Sequence, residues 1–144
     1  MSVKRDKMIT ALREHVVPVL RERGFKGSFP HFRRLSGRFI HILSFQFSSW
    51  GGGFVVEAAA CPDTGITLLD GRHFPPTKVA AHHTAPRIRL GSSAQRTDHW
   101  FYYDERAQHY GDDVFDCTAL AVVPHLEQAE SWWKHYASGK ISPA

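Results

Sequence analysis

The sequence predicts an α+β fold: an antiparallel sheet of about five strands, with an N-terminal helix and a long C-terminal amphipathic helix packed on one face. Apolar residues recur every three or four positions near both ends of the chain, and every second position between them. The length of 144 residues and the 42% hydrophobic content fit one domain with its own core. We therefore predict a single domain over residues 1–137 and a flexible tail over residues 138–144.

The first helix is predicted from about position 3 to 23, and Gly24 ends it. Its apolar face consists of four residues spaced three or four apart: Ile9, Leu12, Val16 and Val19. Pro18 lies off this face, on the solvent side. Because proline removes a backbone donor and clashes with the preceding turn, we expect a kink near Glu14.

Alternating patterns predict strands over residues 28–35 and 38–48, joined at Ser36 and Gly37. Pairing Leu35 with Arg38 would place Phe32 opposite His41. On the second strand one face is apolar and must be packed, and its residues are Phe39, His41, Leu43, Phe45 and Phe47. The opposite face is only half apolar. Further strands are predicted over residues 54–61, 87–90 and 99–103.

Residues 62–86 interrupt the strand pattern with four prolines and two glycines. Loops of this length without structure of their own are uncommon in compact domains. We expect this Pro/His-rich excursion to be functional or mobile.

The C-terminal helix carries a longer apolar seam: Phe115, Ala119, Val122, Leu126, Ala129, Trp133 and Tyr136. Asp112 or Asp113 is a candidate N-cap, Gly139 is a stop signal, and Pro124 lies off the seam.

The two cysteines, Cys61 and Cys117, form no CxxC pair, and we expect two reduced, buried thiols.

Charged residues interrupt the first apolar stretch at Arg13 and Glu14, which argues against a signal peptide. No apolar run is long enough to span a membrane. The predicted location is the cytoplasm.

Ten histidines are present, but their spacing matches no zinc pattern, so neither a metal nor a cofactor is predicted. His41 is the weak catalytic candidate: it is either a hydrogen-bonded core histidine or a general base. The carboxylates of Asp112, Asp113 and Asp116 either cap the last helix or contribute to a divalent-metal site. The three glycines at 51–53 lack a phosphate-binding pattern.

Charge is distributed unevenly, with +7 over residues 1–40 and −3 over the remainder. Six basic residues are expected near the first hairpin: Arg21, Arg23, Lys26, Arg33, Arg34 and Arg38. This segment is a solvated surface, a site for an acidic protein partner, or a nucleic-acid site. The candidate binding residues are Arg33, Arg34, Gln46, Ser49, Trp50, Arg87 and Trp100.

Several segments follow an order seen in a known family: GFKG, then SFPHFRR, then FIHILSFQFSSW with its Gln-x-Ser-Ser ending. RIRLG at residues 87–91, the strand with Trp100, and a closing helix with Leu120, Pro124 and Leu126 follow later. Over most of residues 8–135 the chain resembles the bacterial family catalogued as domain of unknown function 4304. The resemblance implies no assigned reaction, cofactor or catalytic residue. The segment 70–83 lies outside the recognised pattern.

Three functions remain open. The first is a non-enzymatic protein-binding module, regulatory or of immunity type, because no convergent catalytic set is evident and several tryptophans look exposed. The second is an acid-base or metal-assisted enzyme that uses His41 with Arg33, Gln46 or an acidic group. The third is nucleic-acid binding through the basic N-terminal segment, which the sequence favours least. No membrane partner is expected, and the sequence leaves the oligomeric state open.

Overall fold

The computed structural model describes residues 3–84, 86–109, 111 and 113–140. Two helices open the chain, α1 (Val3–His15) and α2 (Val17–Glu22). The predicted kink near Glu14 is instead a break at Val16, because Pro18 falls in the first turn of α2, where a missing N–H costs no helix hydrogen bond. Pro18 is exposed, as expected.

The apolar face of these helices agrees with the prediction at Leu12 and Val16 and differs from it at both ends. Ile9 and Val19 are only half-buried. The fully buried positions recur every fourth residue: Met8, Leu12, Val16 and Leu20. Gly24, whose φ is 92°, follows α2 and leads into the sheet.

Six strands form an antiparallel sheet: β1 (Lys26–Ser28), β2 (His31–Ser36), β3 (Phe39–Phe47), β4 (Gly53–Pro62), β7 (Arg87–Arg89) and β8 (Phe101–Tyr102). The order is β1-β2-β3-β4-β7, and β8 pairs with the beginning of β4 beside β7. A separate hairpin consists of β5 (Ile66–Thr67) and β6 (His73–Phe74). The α+β prediction is confirmed.

The register of the β2–β3 hairpin differs from the prediction by two residues. Leu35 pairs with Ile40, so Phe32 faces Leu43, and His41 faces Arg34. The two-residue loop is Gly37–Arg38, and Gly37 has a φ of 61°, which glycine adopts at little cost. Since side chains alternate with a period of two, this shift leaves every side chain on its predicted face.

The described residues of the excursion, 62–84 and 86, cover part of the second face of the sheet. Ile40 and Ile42 pack there against Val79 and Ala81 in a second apolar cluster. The Oγ of Ser44 accepts a hydrogen bond from the Ala81 backbone N–H at 3.1 Å. The face that is half apolar in sequence is therefore buried at Ile40, Ile42 and Ser44.

The C-terminal part consists of α3 (Val114–Val122), a 3-10 turn (Val123–His125) and α4 (Leu126–Ala137). Together with α1 and α2 these helices share one core with the sheet. The five central residues of the predicted seam are buried, whereas Phe115 and Tyr136 are half-buried. Pro124 is exposed.

The ends of the C-terminal part depart from expectation in one respect. Asp113 occupies the N-cap position, but its side chain makes no capping hydrogen bond; the other candidate, Asp112, lies outside the described residues. Gly139 follows α4 with a φ of 78°. Of the predicted tail, residues 141–144 also lie outside the described residues.

Both cysteines are free thiols. Cys61 is buried, but Cys117 is half-buried, so the expectation of two buried thiols is wrong for Cys117. Among the described residues, no helix has the length and apolar character needed to cross a membrane.

Candidate functional site

His41 lies inside the core and is only 8% exposed. Its ring stacks on Trp133, and its Nδ1 accepts a hydrogen bond from Nη2 of Arg34 at 2.9 Å. Burial, helped by the charge of Arg34 and opposed by Glu130, lowers the pKa of His41 to about 4. At neutral pH it is an uncharged imidazole whose basic nitrogen is already occupied.

Arg34 continues this contact into an ion-pair network with α4. Its Nη2 donates to Oε1 of Glu130 at 2.5 Å, and its Nη1 donates to Oε2 at 3.1 Å. Arg23 donates to Glu127 at 2.8 Å and to Glu130 at 3.3 Å. Burial alone would raise the pKa of Glu130, but the hydrogen bonds and charges of Arg34 and Arg23 outweigh it, so the pKa is lowered. Two of the six predicted basic residues, Arg23 and Arg34, therefore have carboxylate partners on α4.

Arg33 points to the other side of β2. Its Nε donates to the carbonyl oxygen of Val79 at 2.5 Å, which fastens the excursion to the sheet. Together with Lys26 and the exposed Leu35, Arg33 lines an apolar groove of about 530 Å³. Gln46 is exposed on β3 opposite Val55.

Trp50 is 96% exposed, in the loop between β3 and β4. It lines a cavity of about 580 Å³ together with Trp100, Tyr102 and Arg106. We call this cavity the aromatic cleft. The guanidinium of Arg106 lies 4.2 Å above the Tyr102 ring, which is a cation–π contact. The structure thus brings together two of the predicted binding residues, Trp50 and Trp100, and places the exposed Ser49 next to Trp50 in the same loop.

Gly52 of this loop has a steric role. Gly52 has a φ of 81°, and a Cβ atom there would overlap the Asp104 carboxylate and the Arg106 guanidinium. The Nη2 of Arg106 donates to Oδ2 of Asp104 at 2.7 Å. Only a glycine allows this ion pair to lie against the loop.

Arg87 lies elsewhere, in a cavity of about 690 Å³ beside β7 and α4. We call it the edge cavity; its charged lining residues are Glu57, Arg87 and Arg89. The Glu57 side chain is only 8% exposed, and its Oε2 lies 3.6 Å from Nε of Arg87 and 3.5 Å from Nε of Arg89. The cross-strand pairing of Glu57 with Arg89 produces this arrangement, since paired residues lie on the same face.

Asp98 connects the two cavities. Its carboxylate accepts a hydrogen bond from Nη1 of Arg89 and another from Nε1 of Trp100 at 3.0 Å. The hydrogen bond from Arg89 is the main cause that lowers the pKa of Asp98. A wall of the aromatic cleft is thereby joined to a wall of the edge cavity.

Two further features, a buried cysteine and a cluster of potential metal ligands, give weaker support for a functional site. Burial raises the pKa of the Cys61 thiol to about 11, so this cysteine is not an activated nucleophile. Glu14, His15 and Asp116 place one potential metal-ligand atom each within 4.8 Å of one another. In this cluster Nε2 of His15 lies 2.9 Å from Oδ1 of Asp116, so the two side chains already pair. Asp116, expected as a cap or a metal ligand, is thus a partner of α1.

Glu57 and Arg89 are site residues that the sequence analysis missed. The available signal was a lone acidic residue within the apolar run GFVVEAAACP. Carboxylates are rarely buried without a partner, so such a residue predicts a basic neighbour on an adjacent strand.

Comparisons with known proteins give a family but no relative of known activity. The family model described as a domain of unknown function, DUF4304, matches residues 16–128. Neither the curated proteins nor the solved structures give a match. Since the matched residues make up more than half of the chain and include β1 to β8, this chain belongs to the DUF4304 family.

Proposed function

We propose that this chain is a non-enzymatic protein-binding module, regulatory or of immunity type, and that the aromatic cleft is its contact surface. The observation that supports the proposal is the exposure of Trp50 at the rim of the cleft. Covering a solvent-exposed indole with a partner removes apolar surface from water, which makes binding more favourable. Tryptophan, tyrosine and arginine are also the residues most enriched at the energetic centres of protein interfaces.

The proposed partner is acidic. Lys4 of α1 lines the cleft, and residues 1–40 carry a balance of +7. Asp104 and Glu105 line the cleft together with Lys4 and Arg106, so the charges of the cleft balance, and the proposed attraction depends on the net charge of the N-terminal segment. Such a charge pattern accelerates association with an acidic surface.

We place this function in the cytoplasm. Two free thiols, one of them buried and unreactive, fit a reducing compartment.

The alternative functions have less support. His41 is stacked and hydrogen-bonded inside the core, which leaves it poorly placed as a general base. Arg23 and Arg34 have carboxylate partners on α4, which weakens the basic segment as a nucleic-acid site.

Affinity capture from the source cells tests the proposal. The immobilised chain is compared with two variants, W50A and L69A, because Leu69 is also fully exposed but lies at the tip of the β5–β6 hairpin. A protein that binds the wild type and L69A is then measured against W50A by calorimetry. We expect W50A to weaken binding by about 30-fold, the effect of losing roughly 2 kcal/mol at an interface centre.

Two results would contradict the proposal. One is a partner that binds W50A as tightly as the wild type, since the cleft would then not be its contact surface. The other is that the capture yields no protein that binds both the wild type and L69A.

A further inference from the structure

The edge cavity contains a buried carboxylate with unused hydrogen-bonding capacity. Glu57 approaches Arg87 and Arg89 at 3.6 and 3.5 Å, which is longer than a normal hydrogen bond, and no described residue donates a hydrogen bond to its oxygens. Among the described residues, every side-chain oxygen that is fully inaccessible to solvent has a hydrogen-bond partner. Oxygens without a donor, such as those of Glu57, must therefore be accessible. The Glu57 oxygens therefore open onto the cavity that this side chain lines.

The charges around Glu57 are balanced, and this restricts the ligand. Arg89 pairs with Glu57 and with Asp98, and Arg87 approaches the same Glu57 oxygen, Oε2, as Arg89 does. A bound anion would meet the Glu57 carboxylate, and a bound cation would meet two guanidinium groups. Both would have to break an existing ion pair in a partly desolvated site, which is costly. A neutral ligand avoids this cost.

Four of the remaining lining residues carry hydroxyl groups, which favours a ligand with hydroxyl groups of its own; Ile88, Gln128, Trp132 and His135 complete the lining. Ser92, Ser93, Thr97 and Ser131 line the cavity with side chains that both donate and accept hydrogen bonds. A ligand hydroxyl can likewise both donate and accept a hydrogen bond. It can donate to Glu57 and accept from a neighbouring guanidinium without breaking the ion pair between these two groups. Trp132 adds an aromatic wall against which the apolar C–H face of a ring can pack.

One wall of the cavity is held in place by its own hydrogen bonds. The Oε1 of Gln128 accepts from the Gly91 backbone N–H at 2.6 Å, and its Nε2 donates to the Ser92 carbonyl oxygen at 2.9 Å. These bonds tie the loop after β7 to α4. A site of about 690 Å³ with a fixed wall lies in the size range of small-molecule pockets.

We propose that the edge cavity binds a neutral polyhydroxylated ligand, a sugar or another polyol, with Glu57 accepting hydrogen bonds from its hydroxyls and Trp132 packing against its ring. This site is separate from the aromatic cleft, and the inference does not depend on the proposed protein partner.

The test is a titration of ¹⁵N-labelled protein followed by NMR at the indole Nε1–H of the tryptophans and the Nε–H of the arginines. The neutral probes are glucose, ribose and myo-inositol, and the charged probes are inorganic phosphate and putrescine, each up to about 50 mM. We expect at least one neutral probe to shift the Trp132 and Arg89 signals with saturation, and neither charged probe to do so.

The decisive variant is E57Q, with E22Q as the matched control on the exposed end of α2. We expect E57Q to weaken binding of the neutral probe about tenfold, because a charged acceptor is replaced by a neutral one. We also expect it to gain phosphate binding, because Arg87 loses its carboxylate partner and Arg89 keeps only Asp98. If E57Q does not fold, S131A and T97A remove ligand contacts at the exposed rim and should each weaken binding several-fold.

Three results would overturn the proposal. No saturable shift with any of the three neutral probes would show that the cavity takes no polyol. Binding of phosphate or putrescine to the wild type would show that the charges are available to ionic ligands. Equal binding by E57Q and E22Q would show that Glu57 does not contact the ligand.

Discussion

The imidazole of His41 lies parallel to the indole of Trp133, with ring centroids 4.7 Å apart and planes inclined by 2°. Trp133 is fixed from its other end, since its Nε1 donates to the Ala59 carbonyl oxygen at 2.8 Å. The stack joins α4 to the centre of the sheet. Because His41 is part of this stack, its protonation decreases the stability of the fold.

We expect the protein to lose stability in mild acid through His41. Its pKa of about 4 in the folded state lies below the ordinary value of 6.5, so the unfolded chain binds the proton more tightly. Above about pH 6.5 His41 has no effect. As the pH falls from there towards about 4, the free energy of unfolding decreases, by a total on the order of 3 kcal/mol.

Urea unfolding at a series of pH values measures this loss. The variant H41F keeps an aromatic ring on Trp133 but does not titrate, so its stability should fall less steeply between about pH 6.5 and 5. Burial also lowers the pKa values of His31 and His83, which leaves a residual slope. Identical slopes for the wild type and H41F would contradict the prediction.

The two carboxylates of the α4 network should differ in their contribution to stability. Glu130 pairs with both Arg34 and Arg23 and its side chain is 26% exposed, whereas Glu127 pairs with Arg23 alone and is 71% exposed. We expect E130Q to cost about 2 kcal/mol, because it leaves the largely buried Arg34 without its counter-charge. The matched variant E127Q should cost less than about 1 kcal/mol. Chemical denaturation of the two variants measures the difference, and equal costs would argue against a structural role for the network.

Ser44 should control the stability of the excursion. Its Oγ accepts the Ala81 N–H at 3.1 Å and lies 2.9 Å from Nδ1 of His31. S44A leaves the Ala81 N–H without a partner, at a cost of about 1–3 kcal/mol. Hydrogen exchange should become faster over residues 79–83 and stay unchanged in α1, whereas S49A in an exposed loop should change neither. Uniformly faster exchange in S44A would instead mean that the excursion and the core unfold together.

Gly52 should be far less tolerant of alanine than Gly37, although both have a positive φ. A Cβ at Gly52 overlaps the Asp104–Arg106 pair, whereas a Cβ at Gly37 meets nothing within 4 Å. Both variants pay the backbone cost of about 1 kcal/mol. G52A should also displace Arg106 from the Tyr102 ring, which the NMR signals of both side chains would report. Equal stability losses and an undisturbed Arg106 signal in G52A would contradict the assigned steric role.

The helices were predictable because their apolar period is sustained over several turns. Even so, the predicted face ended at Ile9 and Val19, while the neighbouring Met8 and Leu20 are the buried residues. A period of 3.6 residues leaves adjacent positions only about 100° apart, so composition alone does not decide between them.

The predicted hairpin register was wrong for a different reason. It depends on which two residues form the turn, and Ser36-Gly37 and Gly37-Arg38 are both acceptable turn sequences.

The cover over the second sheet face was not predictable from periodicity. Val79 and Ala81 lie in a proline-containing segment without a repeat, and only their contact with Ile40 and Ile42 shows that they belong to a core. The half-apolar face of β3 was a signal that something covers it.

The candidate site was predicted in part. Trp50, in a loop, and Trp100, on a predicted strand, were singled out as tryptophans that look exposed, and the structure places both in one cleft. Gln46 and Arg33 were expected near His41, but the pleat directs neighbouring residues of a strand to opposite faces, and the register pairs His41 with Arg34 instead. The edge cavity was missed because its charges come from β4 and β7, which are 30 residues apart at Glu57 and Arg87.

The outermost strands of the sheet limit how any partner can attach. β1 and β7 have three residues each, and β8 has two. The Gly27 carbonyl oxygen of β1 already accepts a hydrogen bond from Arg21 at 2.6 Å, and β7 carries two arginines. Short, charged edge strands of this kind resist pairing with a further strand, whether from another protein or from a second copy of the chain. A partner must therefore be recognised by side chains, and the sheet is protected from the edge-to-edge assembly that leads to aggregation.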